Sequence, residues 1–163
     1  MPDGNDSVHG AIHGASAAER LKIGMDALIA HSRKGRMHYT QDSRRMTIVR
    51  LHLLPPFGTR VIYEDCSSSV TGLYRMAGLH DPNELHFSGF GYTGTLCENG
   101  KVMHAQPEVG DLVFYGPGKP WHHVAIIYSL HPTMVWSHGH EGAPVVAPID
   151  YRSDRGQIRR YFG

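Results

Sequence analysis

The chain has 163 residues, 40% of them apolar and 19% charged, and its 16 Lys and Arg nearly balance 15 Asp and Glu. A chain of this length can bury one core without disulfide staples. The balance of charge excludes the basic excess of a nucleic-acid binder, and the apolar content excludes a disordered chain.

The first 16 residues, rich in Gly, Ser, Asp and His, read as a mobile arm, and residues 17–163 read as a single domain. No basic start followed by an apolar run opens the chain, and no stretch approaches the ~18 apolar residues of a spanning helix. The expectation is therefore synthesis in the cytoplasm without a signal peptide and no membrane insertion. In "SAAERLKIGMDALIAHSRKG", Ser16 is a candidate N-cap and Glu19 completes a capping box. Leu21, Met25, Leu28 and Ile29 then follow at helical spacing, and Gly35 stops the helix.

Residues 36–65, broken by Pro55, Pro56 and Gly58, predict an irregular segment. From Cys66 onward Val70, Leu73, Tyr74 and Ala77 repeat with helical period up to Gly78, which predicts a second helix beginning at the cysteine. A glycine-rich stretch follows and reads as a surface loop closed by a turn at Asn99-Gly100. After it, "LVFYG", "HHVAIIYSL", "TMVWSHG" and "APVVAPID" predict short strands in an antiparallel meander. Helices laid on one face of such a sheet make an α+β domain.

The chemistry concentrates at two places. Cys66 stands in the first turn of its helix, where free backbone N–H groups and the helix dipole lower a thiol from about 8.5 to ~3.5–7.5 and can also hold an oxyanion. Such a nucleophile needs an imidazole. Strand alternation places His123, Ala125 and Ile127 on one face and His122, Val124 and Ile126 on the other, so one of the two paired histidines can face Cys66. On the next strand His138, His140 and Glu141 offer a polar group to hold the imidazole.

Blander readings compete. A lone cysteine at a helix start is most often core packing, and Cys97 reads that way. The two cysteines are too few for a disulfide framework and both read as free thiols. Of 13 histidines, His9, His13, His31 and His38 read as solvated residues. Trp121 and Trp136 read as packing. The pair His138 and His140 with His80, Asp81 or Glu141 makes a zinc site the rival chemistry, although no helical H-E-x-x-H or paired Cys accompanies it.

Taken together, "DCSSSV", "GDLVFY", "HHVAII" and "WSHG" resemble the NlpC/P60 family of papain-fold cell-wall peptidases over about Tyr39 to Pro148. The resemblance implies a papain-like α+β fold with N-terminal helices on an antiparallel sheet. It implies a cysteine peptidase or amidase that cuts an amide bond of the peptidoglycan stem peptide as a monomer, with no metal or cofactor. Cys66 matches the nucleophile, His123 the general base and His138 the third, orienting position. Because "SLHPTM" lengthens the connection, His131, His140 and Glu141 are alternatives for that third role.

Asp65 matches the acid of the motif and is expected to be a structural hydrogen-bonder. Ser67 is expected on the oxyanion side, Tyr39 at the substrate cleft with Tyr63 as second choice, and Tyr92 in the wall of the groove. "MHYTQDSRR", read with "DCSSS" and "AG", is similar to phage lysins, which implies action on the wall after holin-dependent release or from a virion. The chain departs from the family pattern at Ser68, where Gly is usual, and at "PPFGTRVIYE", where a Tyr-x-Gly-Gly stretch is usual. A catalytically inactive, wall-binding domain of the same fold is the reading from another functional class.

Overall fold

The computed structural model describes residues 16–140 and 142–163. The predicted arm up to residue 15 and Glu141 lie outside them. In chain order the elements are α1 (Ala17–Arg33), β1 (Met37–Tyr39), α2 (Thr47–Leu51), β2 (Ile62–Glu64), α3 (Cys66–Met76), α4 (Thr93–Leu96), β3 (Lys101–Val102), β4 (Leu112–Tyr115), β5 (His123–Ser129), β6 (Met134–Ser137), β7 (Val145–Pro148) and β8 (Arg155–Arg160).

Both predicted helices start and stop on their sequence signals. The Ser16 hydroxyl accepts from the Glu19 N–H at 3.2 Å ahead of α1, and Gly35 follows its end at φ +71°. The α3 helix begins at Cys66 with Asp65 as N-cap, and Gly78 sits beyond its end at φ +68°, a conformation that costs a glycine nothing.

Six strands form one antiparallel sheet in the order β3-β8-β4-β5-β6-β7. The run from β4 to β7 is the predicted meander, with Leu112 opposite Ile126 and Tyr115 opposite His123. The β8 strand, which the sequence did not announce, is inserted between β3 and β4. Its residues "RGQIRR" include one apolar side chain, Ile158, so no alternation marks it. Polar bonds hold it instead: Arg159 Nη1 donates to the Asn99 carbonyl at 2.8 Å, and Arg160 grips the buried Asp111 carboxylate with two bonds of 2.8 Å.

The segment expected to be irregular contains a small parallel pair, with Met37, His38 and Tyr39 of β1 opposite Ile62, Tyr63 and Glu64 of β2. Strands of three residues are too short for a period to show. The parallel pair delivers the chain from β2 straight into Asp65 and Cys66.

Leu21, Met25 and Leu28 of α1 and Val70, Leu73 and Tyr74 of α3 pack on Leu112, Phe114, Val124, Ile126 and Trp136 of the sheet. Val113, Tyr115, Ala125, Ile127 and Val135 form a smaller cluster on the other face, so the alternation along β5 holds. Trp136 is core packing, its indole N–H donating to the Met25 carbonyl at 3.2 Å, which satisfies the one polar atom that its burial would strand. The α2 helix lies against α3 at Gly72, where a Cβ would stand 3.0 Å from three side-chain carbons of Ile48. No helix among the described residues is long and apolar enough to cross a membrane.

Candidate active site

The start of α3 is built from local capping. One oxygen of the Asp65 carboxylate accepts the Ser68 N–H at 2.9 Å, and the Ser68 hydroxyl accepts the Asp65 N–H at 2.8 Å. Reciprocal bonds of this kind satisfy two donors that the first turn would leave orphaned, and each cap contributes about 1 kcal/mol. The departure from the family pattern at Ser68 thus has a local role. The predicted structural role of Asp65 also matches its geometry.

Arg45, which the sequence reading passed over, adds a long-range tie. Its Nε donates to Asp65 Oδ2 at 2.6 Å, and its Nη2 reaches Asp65 Oδ1 at 3.2 Å, Ser67 Oγ at 2.8 Å and the Gly91 carbonyl at 3.0 Å. The Ser67 side chain is thereby committed to Asp65 and Arg45. Ser68 and Ser69 spend their N–H groups on Asp65. Among the described residues this leaves the first-turn N–H groups of Cys66 and Ser67 to serve the site.

Cys66 itself is 7% exposed and belongs to the main core. Burial first and the Asp65 charge second push its thiol above the ordinary value, against the pull of the Val124 N–H, the Thr93 hydroxyl and the Ser67 N–H. The expectation of a depressed thiol is therefore corrected. The helix end does favour a thiolate, but removal of water from the sulfur outweighs it. Next door, Glu64 is wholly buried and pushed up to about 8, chiefly by burial, although the Ile48 N–H and the Ser68 hydroxyl oppose the shift.

Sheet register supplies the other half. His123 opens β5 and is buried, whereas His122 is exposed, so burial distinguishes the two, while alternation groups His123 with Ala125 and Ile127. Val124, the next residue, packs in the same core cluster as Cys66, which brings the start of β5 close to the start of α3. His123 Nε2 lies 2.8 Å from Ser137 Oγ, and that hydroxyl is 3.0 Å from the Tyr151 hydroxyl. Ser137 thus stands directly beside the His123 imidazole.

His138 donates from Nε2 to the Gly142 carbonyl at 3.0 Å, which leaves the neutral ring's Nδ1 to accept the Ser69 hydroxyl at 2.8 Å. Both ring nitrogens are occupied, and through Ser69 the residue fastens β6 to α3. His140 is exposed, with its ring 5.3 Å from that of Tyr39. His131 is in the turn at the far end of β5, about 20 Å along the strand from His123, which removes it as an alternative. Glu141 is outside the described residues.

Tyr39, Gln41, His122, His123, Gly139, His140, Tyr151 and Arg152 line a cavity of about 460 Å³. Tyr39 thus shares this cavity with His123, while Cys66 is not among the lining residues, and it stands edge-on to His138 with ring centres 5.6 Å apart. Tyr63 is not among the lining residues; its ring packs against His38 and under the Arg44 guanidinium. Tyr92 is exposed beside Thr93, with Phe90 still more exposed. A larger cavity of about 630 Å³, lined by residues such as Gly100, Arg160 and Phe162, contains none of the predicted site residues.

Two of the donors named for zinc are otherwise engaged. His80 pairs with Glu84 at 2.9 Å in solvent, and Asp81 accepts the N–H groups of Asn83, Leu85 and Phe87. Among the described residues no three His, Cys, Asp or Glu side chains converge as metal ligands. Cys97 is buried and donates to the Gly94 carbonyl at 3.1 Å, as its packing role requires.

The sequence profile of the NlpC/P60 family matches residues 57–144, a span that contains Cys66, His123 and Ser137. No curated protein matches the chain. Among solved structures, the P60 domain of antigen MAP1272c from M. avium paratuberculosis is 18% identical, with a TM-score of 0.53 over 89% of this chain and 98% of that domain. The peptidoglycan hydrolase RipB from Mycobacterium tuberculosis is 18% identical, with a TM-score of 0.52 over 86% of this chain and 66% of that structure. Rv1477, a hypothetical invasion protein of Mycobacterium tuberculosis, is 24% identical with a TM-score of 0.47, and this chain spans 46% of its length. At these identities the structural likeness concerns the fold.

Proposed function

The chain belongs to the NlpC/P60 family, and from that premise we propose that it is a peptidoglycan hydrolase, a cysteine peptidase or amidase cutting an amide bond of the stem peptide. The observation that carries the reading is the packing of Cys66 and Val124 in one core cluster, which sets the start of the histidine strand against the start of the cysteine helix. The fold shared with RipB supports it.

The resting thiol is protonated, because a buried thiol with a raised pKa is at most a few per cent thiolate at neutral pH. His123 accepts its proton as the sulfur attacks the amide carbon of a stem peptide bound along the Tyr39 side of the cleft. The carbonyl oxygen takes the negative charge, and the N–H groups of Cys66 and Ser67 hold it. The imidazolium returns the proton to the departing amine, leaving an acyl group on sulfur. A water molecule, giving a proton to His123, then releases the acid and restores the thiol. Ser137 fixes the imidazole through Nε2. The same proposal includes a phage-lysin setting, supported by the resemblance of "MHYTQDSRR" and "DCSSS" to such enzymes.

The burial of Cys66 favours one second reading, a wall-binding domain with an inert thiol. Incubation of the protein with purified peptidoglycan separates the two. New amine and acid ends, identified by fragment mass, support the hydrolase and name the bond. Folded protein that sediments with the wall and releases nothing supports the binding domain.

A further inference from the structure

Arg45 precedes α2, 21 residues upstream of Cys66 in the sequence, yet its guanidinium reaches three points around the sulfur's surroundings. Its side chain is 17% exposed and that of Asp65 is 9% exposed, so the pair is largely out of water. Asp65 adjoins Cys66, and its charge works against a thiolate there. The Gly91 carbonyl belongs to the segment leading to Thr93, the first residue of α4. That segment is also pressed from behind, since a Cβ at Gly91 would stand 2.4 Å from the Asn83 side chain.

We propose that Arg45 is a positioning residue for Cys66: it neutralises Asp65 beside the sulfur and clamps the segment from Gly91 to Thr93 against the start of α3. The proposal rests on reading Cys66 as the nucleophile. A planar fork suits the task because it spans both carboxylate oxygens and a carbonyl at once, which a lysine ammonium does not. Of the charged and titratable groups on the elements packed around Cys66, Asp65 adjoins it and its charge acts on the sulfur, Arg45 pairs with Asp65, and Glu64 and His123 lie on the neighbouring β2 and β5; α4 contributes the neutral Thr93. Removing Arg45 leaves Asp65 uncompensated and disfavours the thiolate.

Alkylation of Cys66 by iodoacetamide tests this without any cell-wall substrate. The rate is followed against pH and assigned by peptide mass to Cys66 apart from Cys97. Arg45→Met should move the midpoint up by about one pH unit and slow the neutral-pH rate about tenfold. Arg45→Lys should restore most of the midpoint, because the charge returns. The double variant Arg45→Met with Asp65→Asn, which keeps a helix cap, should return to the wild-type midpoint. Asp65→Asn alone should move it down, and this arm decides the matter if Arg45→Met does not fold. An unmoved midpoint in folded Arg45→Met, or in Asp65→Asn, overturns the proposal. Wild type and variants that alkylate as expected while wild type releases nothing from peptidoglycan would support the role of Arg45 and count against the hydrolase reading alone.

Discussion

The starts of α3 and β5 pack together at Cys66 and Val124, but different forces hold them there. At α3 a carboxylate, a guanidinium and two serine hydroxyls are packed together with little water, and the caps lie within three residues of Asp65. At β5 the imidazole depends on neutral hydroxyls, Ser137 and behind it Tyr151, brought in by strand register. A buried charge pair loses several kcal/mol when one member is removed. A neutral hydrogen bond contributes about 0.5–1.5 kcal/mol. The helix side should therefore fail as a structure when broken, and the sheet side should fail as an orientation while the fold persists.

The largest expected effect is chemical. His123→Ala should lower hydrolysis by about 10²- to 10⁴-fold with little change in unfolding midpoint, measured by fragment release and urea denaturation. On the helix side, Asp65→Ala should cost about 3–5 kcal/mol in the urea experiment, because it strands Arg45 in a largely dry site and removes the cap. A loss below 1 kcal/mol would erase the contrast between the two halves.

Glu64 gives the helix side a pH dependence. Its folded value of about 8 lies above its ordinary value of 4.5, so the native state holds a proton that the unfolded chain has released between those limits. The stabilisation is complete below about pH 4.5 and disappears as pH rises through 8, a span worth on the order of a few kcal/mol for a wholly buried group. Glu64→Gln should flatten the decline in thermal midpoint between pH 5 and 8.

Smaller effects sharpen the sheet side. Ser137→Ala should lower kcat by about three- to tenfold, the value of one hydrogen bond, with stability almost unchanged. His138→Ala should do the reverse, costing about 1–3 kcal/mol by stranding the Ser69 hydroxyl and the Gly142 carbonyl. If instead His138→Ala abolished turnover in a folded protein, Ser137 would not be the orienting group. Ser68→Gly, which restores the usual family residue, should cost about 1 kcal/mol.

The same contrast explains what was legible. Asp65, Cys66 and Ser68 lie within one helical turn, so capping chemistry is written in consecutive letters, whereas strand alternation leaves His122 and His123 both open and the family motif alone singles out His123. Ser137 was passed over because its role depends on the β5–β6 register and the lengthened turn at His131, which spacing alone does not fix. Arg45 was invisible for a similar reason: its partners at 65, 67 and 91 are neighbours only after β1 and β2 pair. The raised thiol of Cys66 was misjudged because the helix dipole is local and readable, while desolvation depends on what packs above the sulfur. The β8 strand escaped notice because arginines, not apolar alternation, hold it in the sheet.

The most direct test of the central claim compares wild type with Cys66→Ala on purified peptidoglycan, each with and without EDTA, with fragments read by mass spectrometry. Release by wild type that is lost in Cys66→Ala and indifferent to EDTA is the predicted result. Release that survives Cys66→Ala and stops with EDTA would contradict a thiol mechanism and return the chemistry to a metal.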